Sequence, residues 1–214
     1  MTHPSRELDI ALVHGDLTSG QELVLVNASN TNVALGSGVS GAIRRTCGTA
    51  YQDHIKQALE QTFGGPMAPG EVLITDAGIH PIARYVAHVA VMDYRRGFSA
   101  SSFPSKELIA QALERLWVAL ESIPEPSLSV AMVALGAGTG QLGVRFPTNA
   151  ACDTLLAHRA ARPDSRIHKV VFYGYGLPDY LVMAEVLSAC LPGFRATLPV
   201  EIQKHIAAVT RDEN

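Results

Sequence analysis

The chain has 214 residues, 47% of them hydrophobic and 17% charged, with 18 Gly and 12 Pro. That balance excludes disordered, collagenous and coiled-coil chains, and the length suits one domain, 1–214, with a large core at about 8–192. Seventeen Lys and Arg against 20 Asp and Glu leave a formal charge of -3, without the basic excess that direct binding to a nucleic-acid backbone demands.

Short β-branched runs bounded by Gly, Asp or Asn predict strands at 9–13 and 22–26. Helices follow at 39–46 and 51–63, the second stopped by Gly64-Gly65-Pro66. Strands are expected again at 71–75 and 85–91. The irregular stretch 92–104 comes next, of a length often used for a lid or a binding loop. The clearest helix takes Ser105 as N-cap and carries Leu108, Ile109, Ala112, Leu113, Leu116, Trp117 and Leu120 at spacings of three and four, ending before Pro124. A strand at 129–135, a helix at 148–160, a strand at 168–173 and helices at 179–191 and 199–209 complete the chain. Val130-Ala131-Met132-Val133-Ala134-Leu135 is apolar at every position, as in a strand covered on both faces. The order ββααββαβαβα, with the terminal helix appended, predicts an α/β fold whose mainly parallel sheet lies between helices.

The apolar stretches are strand-sized and fall short of the roughly 20 residues that a membrane helix needs. Arg6 has no apolar run behind it, so no secretory signal is read and the cytoplasm is the expected compartment. Cys47, Cys152 and Cys190 are far apart and without CxxC, which points to buried thiols. The eight histidines show no HExxH spacing, so no metal is expected.

Two segments spell GxGxxG: Gly36-Ser37-Gly38-Val39-Ser40-Gly41 and Gly138-Thr139-Gly140-Gln141-Leu142-Gly143. Each stands between a predicted strand and a predicted helix. Glycines let a ligand approach backbone N–H groups, and the helix that follows offers unpaired donors and a partial positive charge. A pair of such loops can wrap a pyrophosphate. Neither contains GK[ST]. A nicotinamide-dependent oxidoreductase is the distant alternative, since a Rossmann fold needs an acidic residue about 20 positions on at the end of the next strand. The chain is instead expected to stay helical through Phe63.

Ahead of the first loop stand Gly15-Asp16-Leu17-Thr18 and Val26-Asn27-Ala28-Ser29-Asn30. After it come Gly70-Glu71-Val72-Leu73-Ile74-Thr75-Asp76-Ala77-Gly78 and Arg84-Tyr85-Val86-Ala87-His88-Val89. In this order and spacing these segments, with the first glycine loop, resemble the macro domain family along almost the whole chain. The resemblance implies a three-layer α/β/α sandwich with a mixed, mainly parallel sheet of six to seven strands. It also implies a cleft that takes ADP-ribose, or an ADP-ribosylated or O-acetylated derivative, as ligand rather than as cofactor.

By the same resemblance, Asp16, beside Leu17, accepts a hydrogen bond from the adenine amino group, its alternative being a turn or N-cap role beside Thr18. Asn30 faces the distal ribose unless it forms an Asx turn. Gly36, Gly38, Val39 and Ser40 line one side of the diphosphate, and Thr139, Gly140, Gln141, Leu142 and Gly143 the other. Tyr173 stacks on adenine or packs in the core, and His88 is a core imidazole. Members of the family that hydrolyse ADP-ribosyl bonds or deacetylate O-acetyl-ADP-ribose place an Asp where this chain has Ser40, and a hydroxyl does not replace a carboxylate as general base without a partner. Other branches use a lysine, and no lysine stands near either loop. Turnover would then fall to Asn30 or to Asp93 in the 92–104 loop.

Overall fold

The computed structural model describes residues 8–212; the stretch 1–7, read above as lacking a secretory signal, lies outside them. Six strands, β1 (Asp9–His14), β2 (Val24–Asn30), β3 (Val72–Asp76), β4 (Tyr85–Met92), β5 (Leu128–Met132) and β6 (Ile167–Gly174), form one sheet in the order β1-β6-β5-β2-β4-β3. Every neighbouring pair is parallel except β3 with β4, which is antiparallel. The helices are α1 (Gly38–Cys47), α2 (Tyr51–Phe63), α3 (Lys106–Leu120), α4 (Arg145–Ala161), α5 (Leu177–Cys190) and α6 (Val200–Asp212).

The period of two along each strand divides the core into two layers. Val24 and Val26 of β2 face the side covered by α3, α4 and α5, together with Val130 and Met132 of β5 and Val170 and Phe172 of β6. Leu25, Ala131, Val171 and Tyr173 face α1 and α2. The expected mixed, mainly parallel sheet between helical layers is therefore the observed one. Trp117 of α3 is fully buried and donates its indole N–H to Thr154 Oγ1 at 2.9 Å, anchoring α3 to α4. Burial pushes the thiol of Cys47 up to about 11 and that of Cys152 to about 12, so both stay protonated at neutral pH.

Three element boundaries near the glycine loops shift from expectation by three or four residues. β2 does not stop at Val26 but continues through Asn30, with buried Asn27 finding side-chain partners within the fold. β5 ends at Met132 rather than at 135, and Val133 to Leu135 lead out toward the second glycine loop. α4 begins at Arg145, three residues early, with Pro147 in its first turn, where a missing N–H costs no helical hydrogen bond. The 92–104 segment is tied down rather than loose. Ser99 and Ser102 cap a short 3-10 turn reciprocally, Asp93 N–H donates to Ser102 O, and Tyr94 N–H donates to Thr31 Oγ1.

Asn27 of β2 joins a buried polar column. Asn27 and His88 are register partners on β2 and β4, and both are fully buried. Ser40 of α1 donates its hydroxyl to Asn27 Oδ1 at 2.8 Å, and Asn27 Nδ2 donates to His88 Nδ1 at 3.0 Å. His88 Nε2 lies 3.3 Å from both Tyr51 Oη and Thr75 Oγ1, which are 2.8 Å from each other. With Nδ1 occupied as an acceptor, His88 is held as the neutral Nε2–H tautomer. Burial, and secondarily the charge of nearby His54, lower its pKa to about 3.

The sign of the resulting pH dependence is set by that direction. A depressed folded pKa means that the unfolded chain binds the extra proton between about 6.5 and about 3. The His88 contribution is therefore fully present above pH 6.5 and is lost as the pH falls toward 3. Urea unfolding should show a loss of about 2 kcal/mol from this one group between pH 7 and pH 5. In His88→Gln that part of the slope should be missing, whatever the variant's stability at pH 7.

Candidate functional site

A groove opens at the carboxyl ends of β2, β5 and β6, where the two glycine loops leave the sheet. Its first lobe, about 220 Å³, lies between Ser37, Gly38 and Val39 on one side and Gly136 to Gly140 on the other. A second lobe of about 350 Å³ is bounded by Gly15, Asp16, Leu17, Ala42 and Arg45. Gly38, Val39, Val133, Tyr173 and Tyr175 border both, so the lobes are continuous. Each volume is of the order found for small-molecule clefts.

The first loop sets the amino end of α1 against the groove. Its N-cap, Ser37, makes no side-chain capping hydrogen bond, so the N–H groups of the first turn keep their donors for a guest. Gly38 sits in the left-handed region at φ 56°. The loop is approached through a braced turn at 30–34. Asn30 Oδ1 accepts from the N–H groups of Asn32 (3.1 Å) and Ala34 (3.2 Å), and its Nδ2 donates to Ala34 O at 3.0 Å. Gln52 of α2 accepts from Leu35 N–H at 2.7 Å and donates to Val33 O at 3.1 Å, holding buried Val33 at φ 48°, a strained conformation for a β-branched residue.

The second loop differs in construction. A Cβ on Gly140 would stand 2.5 Å from Gly136 O and 2.8 Å from its Cα, so this glycine is required by backbone contact within the loop. At Gly138 a Cβ would meet nothing, since that position faces the open groove. Gln141 (φ 61°) and Gly143 (φ 63°) then turn the chain away, and Leu142 packs beneath Gly136 and borders a separate depression with Lys106 and Phe146.

At the other end, Asp16 caps the 3-10 turn at Leu17–Ser19. Its Oδ1 accepts both the N–H (2.9 Å) and the hydroxyl (2.8 Å) of Thr18. Oδ2 has no partner among the described residues, so the capping role leaves one acceptor facing the lobe. His80 clamps this turn from the β3–β4 connection. Its Nδ1 accepts from Ile82 and Ala83 N–H, and its Nε2 donates to Thr18 O at 3.0 Å. The Tyr173 ring forms part of the wall, with its hydroxyl donating to buried Glu22 at 2.8 Å; burial and that carboxylate raise its pKa. Gly20 allows this contact, because a Cβ there would collide with both the tyrosine hydroxyl and the glutamate. Tyr175, 79% exposed, stands at the rim of both lobes.

The groove thus brings together Asp16, Leu17, Gly38, Val39, Thr139, Gly140 and Tyr173. Gly36, Asn30, Ser40, Gln141, Leu142 and Gly143 lie outside its lining. Asn30 instead braces the Asx turn, with Oδ1 and one of its two Nδ2 hydrogens engaged there, and Ser40 bonds inward to Asn27. Asp93 also lies outside, with its carboxylate bridged by Arg95 through Nε (2.9 Å) and Nη2 (2.7 Å), which holds its pKa down near 2. His80, Glu22, Tyr175 and Asp179, the carboxylate at the far edge of the first lobe, were not singled out from sequence. None sits in a motif; only Tyr175, in Tyr173-Gly174-Tyr175-Gly176, stands next to a residue that was.

Comparison with known proteins places this geometry in a family. The chain is 30% identical over 190 residues to a protein of Pyrobaculum aerophilum, covering 88% of this chain and 96% of that one. It is 39% identical over 75 residues to an O-acetyl-ADP-ribose deacetylase of Klebsiella pneumoniae, 35% of this chain and 42% of that one. Among solved structures it is similar to a variant of the Oceanobacillus iheyensis macrodomain with ADPR, at TM-score 0.69 and 22% identity over 88% of this chain and 97% of that one. The Trypanosoma brucei macrodomain in complex with ADP-ribose follows at TM-score 0.64 and 22% identity, over 81% and 67%. The family model for the macro domain matches residues 26–153, from the middle of β2 into α4 and across both glycine loops, and the chain belongs to the macro domain family.

Proposed function

We propose that the groove binds ADP-ribose, or a molecule carrying it, with the base in the Asp16 lobe and the diphosphate between the two glycine loops. The observation that carries this reading is the opposition of the loops across one continuous groove that ends at a single free carboxylate oxygen. The first lobe has no Lys or Arg on its lining. A diphosphate there would be held by backbone N–H groups and the α1 dipole, which need no side-chain reorganisation. At the other end, Asp16 Oδ2 accepts from the exocyclic amine of adenine and repels the carbonyl edge of guanine. The macrodomain structures solved with ADPR and with ADP-ribose support the same ligand.

The deacetylase relative supports turnover as a second reading. The chain supplies little for it: Ser40 is bonded inward, Asn30 is spent on its turn, and Asp93 is paired with Arg95. Asp179 is the carboxylate on the lining of the lobe between the loops and is the group that would activate water there.

Calorimetry with ADP-ribose tests the binding reading. Asp16→Asn keeps the capping oxygen but sets an N–H₂ donor against the adenine amine, and it should weaken binding by roughly 10- to 100-fold, the scale of one charge-assisted hydrogen bond. Unchanged affinity would remove Asp16 from the site. Gly138→Val fills the lobe without meeting protein atoms. It should abolish binding and leave the thermal midpoint within about 3 °C, as expected for a surface change that touches no packed group. Incubation with O-acetyl-ADP-ribose should give binding without deacetylation; release of acetate that disappears in Asp179→Asn would establish the second reading instead.

A further inference from the structure

Arg45 is the one cationic side chain on the lining of either lobe, and it makes no hydrogen bond or ion pair with any described residue. Its neighbour Arg44 donates to Leu35 O at 3.5 Å. The Arg45 guanidinium lies over Gly41. A Cβ there would stand 3.6 Å from Arg45 Nη1 and 2.9 Å from Gly36 O, so the arginine folds back along α1 toward the first glycine loop. Arg45 borders only the Asp16 lobe, while Gly38 and Val39, about two turns before it on α1, border both. The guanidinium therefore stands on the stretch of α1 wall that borders the Asp16 lobe, folded back on the side of the first glycine loop. The other charged group on the wall of this lobe is Asp16, which forms no ion pair with it and has one oxygen committed to Thr18.

A ligand that runs from Asp16 to the paired loops must pass this stretch with the sugar that joins its base to its diphosphate. The 2′ and 3′ hydroxyls of that sugar are where such molecules carry further groups. A guanidinium with all its donors free binds phosphate with two parallel N–H···O contacts and gains little from a neutral hydroxyl. Resting on the ADP-ribose reading above, we propose that Arg45 makes the groove select ADP-ribose bearing a phosphate on its adenosine ribose over ADP-ribose itself.

The test compares ADP-ribose with ADP-ribose 2′-phosphate by calorimetry, on the wild-type chain and on Arg45→Gln. Wild type should bind the phosphorylated ligand about five- to tenfold more tightly at low salt, as expected for one solvent-exposed charge-assisted contact. That ratio should shrink toward one at 0.5 M salt, where exposed charges are screened within about 4 Å. Arg45→Gln should lose the preference, its affinities for the two ligands agreeing within about twofold whatever its affinity for ADP-ribose itself, since the charge that reads the added phosphate has been removed. Equal affinity of the wild type for both ligands, or a preference that survives in Arg45→Gln, would overturn the proposal while leaving ADP-ribose binding intact. Failure of both ligands to bind the wild type would overturn the underlying reading, and this proposal with it.

Discussion

The groove exists because two neighbouring parallel strands send the chain to opposite faces of the sheet. β2 and β5 are paired in register, Val24 with Val130 and Leu25 with Ala131. From β2 the chain turns to α1 in the layer with α2, and from β5 it turns to α4 in the layer with α3 and α5. Chains that diverge in this way cannot fill the space beyond their strand ends, and such crevices are where open α/β sheets place ligands. The glycine loops face each other for this reason, and their short side chains keep the crevice from closing.

The same junction explains how rigidly the first loop is held. α1 is joined to the sheet by Ser40, whose hydroxyl ends a column that continues through Asn27 and neutral His88 to Tyr51 and Thr75. Every polar group in it is hydrogen-bonded, so the column does not carry the penalty of an unsatisfied buried polar atom. It registers β2, β4, β3, α1 and α2 against one another at one point. The Ser40 hydroxyl of the first glycine loop is therefore used for positioning rather than offered to the groove.

Charge is distributed sparingly along the groove. The stretch between the loops offers backbone dipoles with the Asp179 carboxylate on its lining, the Asp16 lobe offers one carboxylate oxygen left free by the turn, and a single guanidinium stands on the wall of that second lobe. The aromatic wall is split between Tyr173, fixed by Glu22, and Tyr175, free at the rim. A ligand anionic in the middle and carrying an amine at one end fits this order better than one charged throughout.

By itself the sequence determined the fold class, the helices 51–63 and 106–120 almost to the residue, and the two glycine loops, because these follow from local periodicity, capping and backbone permissiveness. Asp16 was also legible, as a carboxylate beside a turn; its two oxygens serve the turn and the groove separately, a division that no motif reveals. What the tertiary structure alone decided is which polar side chains face a guest. Asn30 and Ser40 stand in the motif that points to the ligand, yet a turn and a buried amide take up their hydrogen bonds. β2 runs four residues past its apolar run because His88, 61 positions away, satisfies Asn27. Glu22 and His80 act through contacts with segments far apart in the chain, and Arg45 stands on the groove wall with no hydrogen bond or ion pair to any described residue. Such properties belong to the assembled surface, since hydrogen-bond satisfaction is settled by whatever folding brings within 3 Å.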